Sequence, residues 1–325
     1  MKSKISLANL PTKIEKLERI SAELGINLYI KRDDQTATEF SGNKIRKLEY
    51  ALKEAIDSGC DTVITCGGIQ SNHARATVAS AIKLGMNAAI LLRTSEEPVI
   101  EGNYFLNKLM GADIHFCTPD EYRNSREEIM AQIAKEYKDK GHNAYIIPEG
   151  ASFGIGVLGY YSCLEEIAVQ EKEMGVTFNT IVVATGSGGT FAGLYLANKF
   201  HKYGKRIIGM AVCDDVEYFR NIAYKISKDA LEHIGESIEI DKEEMEINDK
   251  HVGIGYAISK KDELDFITSF ARKEGVILDP VYTGKAMKGL YDEIKGKTIK
   301  NPGNVLFIHT GGLFGLFPKQ SQFEF

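Results

Sequence analysis

The sequence predicts an α/β fold with two parallel-rich sheets, on three observations. Strand-like and helix-like stretches alternate from Asp61 to Pro148, and the alternation resumes after Tyr160. Four polar, glycine-marked loops stand where strands end. Intervening helices between strands imply parallel pairing with both sheet faces covered.

The elements follow in order. In "FSGNKIRKLEYALKEAIDSG", Ile45, Leu48, Leu52, Ala55 and Ile56 recur at helical spacing, and Gly59 closes the helix. "TVITC" is a buried strand followed by an Ala-rich helix to Gly85. "AAILL" is the next strand, a helix runs through "NYFLNKLMG", and "DIHFC" is a third strand. A long charged helix from about Pro119 to Lys140 leads to strand "AYIIP". "EGASFGIGVLGY" reads as a link, and helix "YSCLEEIAVQEKEMG" opens the second half. Strand "TIVVA", loop "TGSGGT", a helix from Phe191 and strand "RIIGMAV" follow. Residues 225–250 read as a helix and a polar connection without chemistry of their own. Helix "DELDFITSFARKEG", the segment "VILDPVYTGKAMKGL" and strand "NVLFIH" complete the chain.

Length and charge narrow the function. At 325 residues, two domains or one large α/β unit are expected. The net charge of −5 argues against a general nucleic-acid binder. No apolar run is long enough to span a bilayer, and the N-terminus lacks the sustained apolar core of a signal peptide, so a cytoplasmic protein is expected. Five scattered cysteines without a CxxC pair suit free thiols rather than a disulfide or metal framework. Cys66 and Cys213 each close a strand, where core packing is the default.

The loops carry the chemistry. In "TIVVATGSGGTFAGL", Gly186, Ser187, Gly188, Gly189 and Thr190 join a strand to a helix, a place that attracts a phosphate. The dinucleotide fingerprint needs a glycine at 191, where Phe191 stands, and a Walker loop ending in "GKT" needs one at 291, where Tyr291 stands. The phosphate therefore belongs to another cofactor or substrate. "TCGGIQSNHARA" places Gln70, Ser71, Asn72 and His73 behind a diglycine. Ser71 or Asn72 can cap the helix, and the group as a whole can hold a carboxylate. Tyr282 and Thr283 precede a helix, and Thr310, Gly311 and Gly312 end a strand. Ligands of open α/β sheets bind outside the carboxyl ends of strands, so one crevice is expected.

Lys44, Arg46 and Lys47 crowd a helix N-terminus, where cations are disfavoured. The helix end and Lys47 should lower the Lys44 pKa. Such an amine forms Schiff bases, and a phosphorylated aldehyde anchored in a glycine loop is pyridoxal phosphate. Lys47, one turn on, can help hold the phosphate.

Together "SGNKIRKLEY", "GGIQSNHARA", "ATGSGGTFAGL", "ILDPVYTGKAMKGL" and "HTGGLFGL" resemble the D-cysteine desulfhydrase and 1-aminocyclopropane-1-carboxylate deaminase family. "IKRDD", "IIPEGAS" and "CDDVEYF" extend the resemblance over nearly the whole chain. It implies the tryptophan synthase β-like fold (fold type II of the pyridoxal phosphate enzymes), with the active site between two sheet domains. Residues 1–44 and 156–325 would form the larger, cofactor-binding domain and 45–155 the smaller inserted one, usually in a homodimer. It further implies that Lys44 carries the cofactor as a Schiff base and that Asn72 contacts its phenolic oxygen. Lys47 and the Gly186–Thr190 backbone would hold the phosphate, with Thr310 facing the pyridine nitrogen. Gln70, Ser71 and Asn72 would take the substrate carboxylate, and Tyr256, Tyr282 and Thr283 would complete the substrate site, the two tyrosines matching active-site tyrosines. The deaminase branch carries glutamate at the position of Thr283 and leucine at that of Thr310. The two threonines here place the chain with the desulfhydrases.

The expected reaction is β-elimination from a small amino acid, D-cysteine first, giving pyruvate, hydrogen sulfide and ammonia. Lys44 would be the base at the α-carbon, Ser71 would hold the substrate, and Tyr282 would assist proton transfer or pack against the substrate. Ring opening of 1-aminocyclopropane-1-carboxylate is the alternative, as are L-cysteine, cysteate, β-chloroalanine and serine. A nicotinamide oxidoreductase is opposed by Phe191 and the Lys44 segment. A non-catalytic pyridoxal phosphate regulator would retain both Lys44 and the phosphate loop. No metal, nucleic acid or membrane partner is expected.

Overall fold

A computed structural model describes residues 2–235 and 237–325. Six strands form one sheet: β1 (Ile14–Lys16), β2 (Asn27–Lys31), β7 (Thr180–Thr185), β8 (Arg206–Ala211), β9 (Glu246–Asn248) and β10 (Asn304–Ile308). Their order is β1-β2-β10-β7-β8-β9, parallel throughout except for the antiparallel edge pair β1–β2. The second sheet, ordered β5-β4-β3-β6 and wholly parallel, comprises β3 (Thr62–Gly68), β4 (Asn87–Arg93), β5 (Asp113–Cys117) and β6 (Ala144–Ile146).

Helices cover both sheets. Around the four-stranded sheet lie α2 (Lys44–Asp57), α3 (Asn72–Lys83), α4 (Gly102–Leu109) and α5 (Pro119–Asp139). The six-stranded sheet packs with α1 (Glu18–Leu24), α6 (Gly154–Met174), α7 (Gly189–His201), α8 (Val216–Ile234), α9 (Lys261–Glu274) and α10 (Thr283–Lys295), while the short α11 (Leu313–Leu316) packs against α4. Strands β3 and β7 are buried along nearly their whole length. That explains their unbroken apolar runs, "TVITC" and "TIVVA". No helix among the described residues is long and apolar enough to cross a membrane.

One sequence expectation changes. Helix α6 begins at Gly154, so "GIGVLGY" is helical rather than a link. Its glycines serve close packing: a Cβ on Gly159 would lie 2.4 Å from the Arg46 carbonyl oxygen on α2. In addition, the boundary expected between residues 155 and 156 cuts through the first turn of α6. Ile155 and Leu158 pack into the core shared with α2 and α3. Val157, Tyr160 and Tyr161 pack into the core with α7 and β7. One helix thus couples the two sheets and holds the α2 N-terminus in place.

Candidate active site

The carboxyl ends of β3, β4, β7, β8 and β10 open into one cavity of about 650 Å³. Lys44, Ser71, Asn72, Gly186, Ser187, Gly188, Thr190, Tyr256, Tyr282 and Thr310 all line it. Residues from "SGNK", "GGIQSN", "GSGGT" and "HTGG" therefore meet, although more than 260 positions separate the first from the last.

Lys44 is the first residue of α2, and its ammonium donates to Asn43 Oδ1 at 3.0 Å. Asn43 in turn donates from Nδ2 to Thr190 Oγ1 at 3.0 Å, joining the lysine to the start of α7. Burial pulls the Lys44 pKa down to about 8; Arg75 adds to the effect, while Glu149 and Asp279 oppose it. The principal cause is desolvation rather than the helix end and Lys47 expected from the sequence.

The turn from β7 into α7 is tight, and Gly188 sits at φ +80°, where a side chain would be strained. Behind this turn, Lys47 is fully buried and donates to Gly150 O at 3.2 Å and Ser152 Oγ at 3.3 Å. Ser152 Oγ also accepts from Gly189 N at 3.3 Å and meets Ser187 Oγ at 2.8 Å. A Cβ on Gly189 would lie 2.8 Å from Lys47 Nζ, so glycine is what allows the ammonium to reach the turn. No carboxylate pairs with Lys47 among the described residues, and burial together with Lys44 drives its pKa well below 10.5. A buried ammonium facing helix-start amides lacks an anion, and a phosphate supplies it. These residues fit the phosphate of pyridoxal phosphate. Lys47 and Gly189 stand behind the cavity wall rather than lining it.

Ser71 is the N-cap of α3; its Oγ accepts from Ala74 N at 3.1 Å, leaving its hydrogen to donate. A Cβ on Gly67 would strike that Oγ at 2.5 Å, which accounts for the second-to-last glycine of β3. Asn72 Oδ1 accepts from Asn103 Nδ2 at 3.0 Å, so its amide nitrogen is the group left for a ligand oxygen. Asn103 was not singled out by the sequence, yet it also donates to Gln70 O and accepts from buried Arg75. Arg75 ties this loop to the Lys44 segment by donating to the carbonyls of Glu39 and Ser41.

His73 lines the cavity but is structural. Thr65 Oγ1 donates to Ile147 O, so it accepts from His73 Nε2, and burial keeps the ring neutral. The Cys66 thiol is packed in the core, whereas Cys213 lines the cavity and is only half-buried, against expectation.

Two assigned substrate contacts are corrected. Gln70 does not line the cavity: its side chain accepts from Asn103 N at 2.8 Å and donates to Glu101 O at 3.1 Å, fastening the start of α4. Thr283 is fully buried, and its hydroxyl donates to Asp279 Oδ1 at 2.7 Å while accepting from Asp279 N. Asp279 also accepts from the amides of Val281, Tyr282 and Thr283, so the pair caps α10 and aims Tyr282. The Tyr282 hydroxyl bonds that of Tyr256. Burial raises both phenols, Tyr256 to about 12 and Tyr282 well above the ordinary 10, so both are neutral proton donors near neutral pH.

Two parallel sheets, a poised lysine at their junction and a phosphate cradle define a pyridoxal phosphate enzyme. A family model described as pyridoxal-phosphate dependent enzyme matches residues 5–311. The chain is 41% identical to the mitochondrial bifunctional D-cysteine desulfhydrase/1-aminocyclopropane-1-carboxylate deaminase of Arabidopsis thaliana, over 98% of this chain and 80% of that protein. It is 37% identical to the D-cysteine desulfhydrase of Yersinia enterocolitica, over 98% and 96% of the two chains. A crystal structure of a 1-aminocyclopropane-1-carboxylate deaminase homologue superposes with a TM-score of 0.90 at 39% identity, over 98% and 94% of the chains. The chain belongs to the pyridoxal-phosphate-dependent D-cysteine desulfhydrase and 1-aminocyclopropane-1-carboxylate deaminase family.

Proposed function

We propose that the enzyme eliminates the β-substituent of D-cysteine, releasing pyruvate, hydrogen sulfide and ammonia. The observation that carries this choice is Thr310, which lines the cavity and whose hydroxyl engages no other group among the described residues. A hydroxyl is a weak partner for a pyridine nitrogen and does not force its protonation as a carboxylate would. That favours prompt loss of a β-leaving group over the longer-lived carbanion chemistry of ring opening. The 37% identity to a D-cysteine desulfhydrase supports the same reading.

Bound pyridoxal phosphate would supply the electron sink that acidifies the substrate Cα–H bond. The chain's own residues do the rest. Lys47, with the amides from Gly186 to Thr190, anchors the phosphate, and the Asn72 amide holds the phenolic oxygen. The Ser71 hydroxyl and the first amides of α3 orient the substrate carboxylate. Lys44 takes the α-proton; a pKa near 8 leaves a useful fraction of free amine at neutral pH. Tyr282 packs against the substrate and assists proton transfer at its α-carbon.

The test is a substrate panel with pyruvate, sulfide and 2-oxobutyrate measured separately. D-cysteine should give pyruvate and sulfide in equal amounts. Comparable 2-oxobutyrate from 1-aminocyclopropane-1-carboxylate, or faster turnover of L-cysteine or cysteate, would overturn the choice of substrate.

A further inference from the structure

Three arginines, Arg93, Arg123 and Arg126, line the same cavity, and none belongs to the motifs that carry the family resemblance. They differ in their company. Arg126 lies over the Tyr122 ring at 5.3 Å and pairs with Glu149 at 3.9 Å. Arg123 is exposed. Arg93, the last residue of β4, is partly buried between two rings, 5.1 Å from the centroid of Tyr122 and 5.4 Å from that of Tyr256. Among the described residues it has no carboxylate and no hydrogen-bond acceptor. Its Nε lies 3.8 Å from where a Cβ on Gly68 would stand, so the guanidinium overhangs the loop that leads to Ser71. It therefore overlooks both the carboxylate-holding loop and the Tyr256–Tyr282 pair. A planar cation fixed by two rings, with its donors unengaged, is arranged for an anion.

We infer that Arg93 is a catalytic residue that receives the group leaving the substrate β-carbon as an anion. The inference rests on the β-elimination reading above. As the Cβ–S bond breaks, its electron pair departs with sulfur as HS⁻, which Arg93 holds by charge-assisted hydrogen bonds. The pair from the Cα–H bond becomes the Cα=Cβ bond, and the proton rests on Lys44 Nζ. Because Tyr122 and Tyr256 hold the guanidinium in place before the charge develops, little reorganisation accompanies departure. The arrangement selects substrates whose β-group leaves as an anion, and its benefit grows as that group becomes a poorer leaving group.

Arg93→Gln and Arg93→Lys holoenzymes would be compared with the parent on D-cysteine and on β-chloro-D-alanine, whose chloride leaves readily without help. Cofactor absorbance would confirm loading. In Arg93→Gln, kcat/KM for D-cysteine should fall about 100-fold, at least 10 times more than for β-chloro-D-alanine, with partial recovery in Arg93→Lys. Equal losses on both substrates, or no loss, would overturn the assignment. A second arm does not depend on D-cysteine being the substrate: thiocyanate, an inert sulfur anion, is measured as an inhibitor of β-chloro-D-alanine elimination. Its inhibition constant should rise about 10-fold or more in Arg93→Gln. An unchanged constant rejects the anion site even if parent enzyme and D-cysteine give no sulfide, a result that by itself rejects only the proposed substrate.

Discussion

Arg46 and Lys47 are neighbours on α2, both buried and both basic, yet their surroundings are opposite. Arg46 donates to both oxygens of Asp33, at 2.8 and 2.9 Å, and to both oxygens of Glu166, at 2.9 and 3.0 Å. Tyr160 adds a hydrogen bond to Asp33, and Lys31 one to Glu166. Among the described residues, Lys47 meets only a carbonyl and a serine hydroxyl. A helix rotates its side chains by about 100° per residue, so consecutive positions face different regions. Position 46 looks toward β2 and α6, and position 47 toward the turn of β7 and α7. A buried charge with its partners present belongs to the scaffold. One without them marks where a ligand's charge belongs.

The sharpest break of this comparison is at Lys44, beside the unsatisfied cation. Lys44→Ala should lower kcat/KM by about 10⁴-fold, because both the proposed tether of the cofactor and the proposed α-carbon base are lost. Borohydride should then fix no cofactor on the chain. An adduct elsewhere with retained turnover would move the chemistry off this residue.

Arg46→Met attacks the satisfied cation and should act on stability alone. It strands Asp33 in the core, a loss of about 3–5 kcal/mol, read as a lower urea midpoint. The folded fraction should bind pyridoxal phosphate as the parent does. Lys47→Met should do the reverse. Removing an unpaired buried ammonium should stabilise the cofactor-free protein by about 1–3 kcal/mol, while cofactor affinity falls about 10- to 100-fold. If both variants move stability in the same direction, the distinction between the two cations is wrong.

The Asp33 side of the contrast has a pH signature. Burial pushes its carboxyl up, but Arg46 overrides burial and leaves it at about 2, below the ordinary 3.8. A carboxyl depressed on folding contributes stability that is complete above about pH 4 and lost as pH falls toward 2. The shift corresponds to about 2 kcal/mol. Acid titration of the urea midpoint should show this loss in the parent and a flatter slope in Asp33→Asn.

The same physics explains what could be read in advance. Alternating strands and helices were legible because burial on both faces gives β3, β4 and β7 uninterrupted apolar runs. The beginning of α6 was not, since glycines chosen for contact with α2 resemble those of a link. Strands β1 and β9, three residues each, lack the apolar run that makes the equally short β6 legible in "AYIIP". At the site, Lys44, Asn72 and the Gly186–Thr190 turn stand in local strand-to-helix motifs, where spacing is informative. Asn103, Arg75 and Arg93 act across tertiary contacts that spacing cannot reveal. "IIPEGAS" held the missed Ser152 in plain view, without a signal that its hydroxyl meets the phosphate turn. Gln70 and Thr283 mislead for a related reason: polarity beside a site does not say which way a side chain turns. Thr283 is a threonine because Asp279 requires a short hydroxyl at the start of α10.

The smallest effect tests whether cofactor and substrate are held by separable parts of the site. Lys47 and the α7 amides lie on the cofactor side, while Ser71 stands at the start of α3, on the four-stranded sheet. Ser71→Ala removes a cap worth about 1 kcal/mol and a hydroxyl that can donate to a carboxylate. Asn72 keeps its partner Asn103, so the group assigned to the phenolic oxygen stays in place. The expected outcome is a small drop in melting temperature, a raised KM and an unchanged cofactor absorbance and affinity. Loss of cofactor in Ser71→Ala would mean that the α3 cap organises both ligands. Asn103→Ala would then be expected to behave identically, since it would release the same loop from the opposite side.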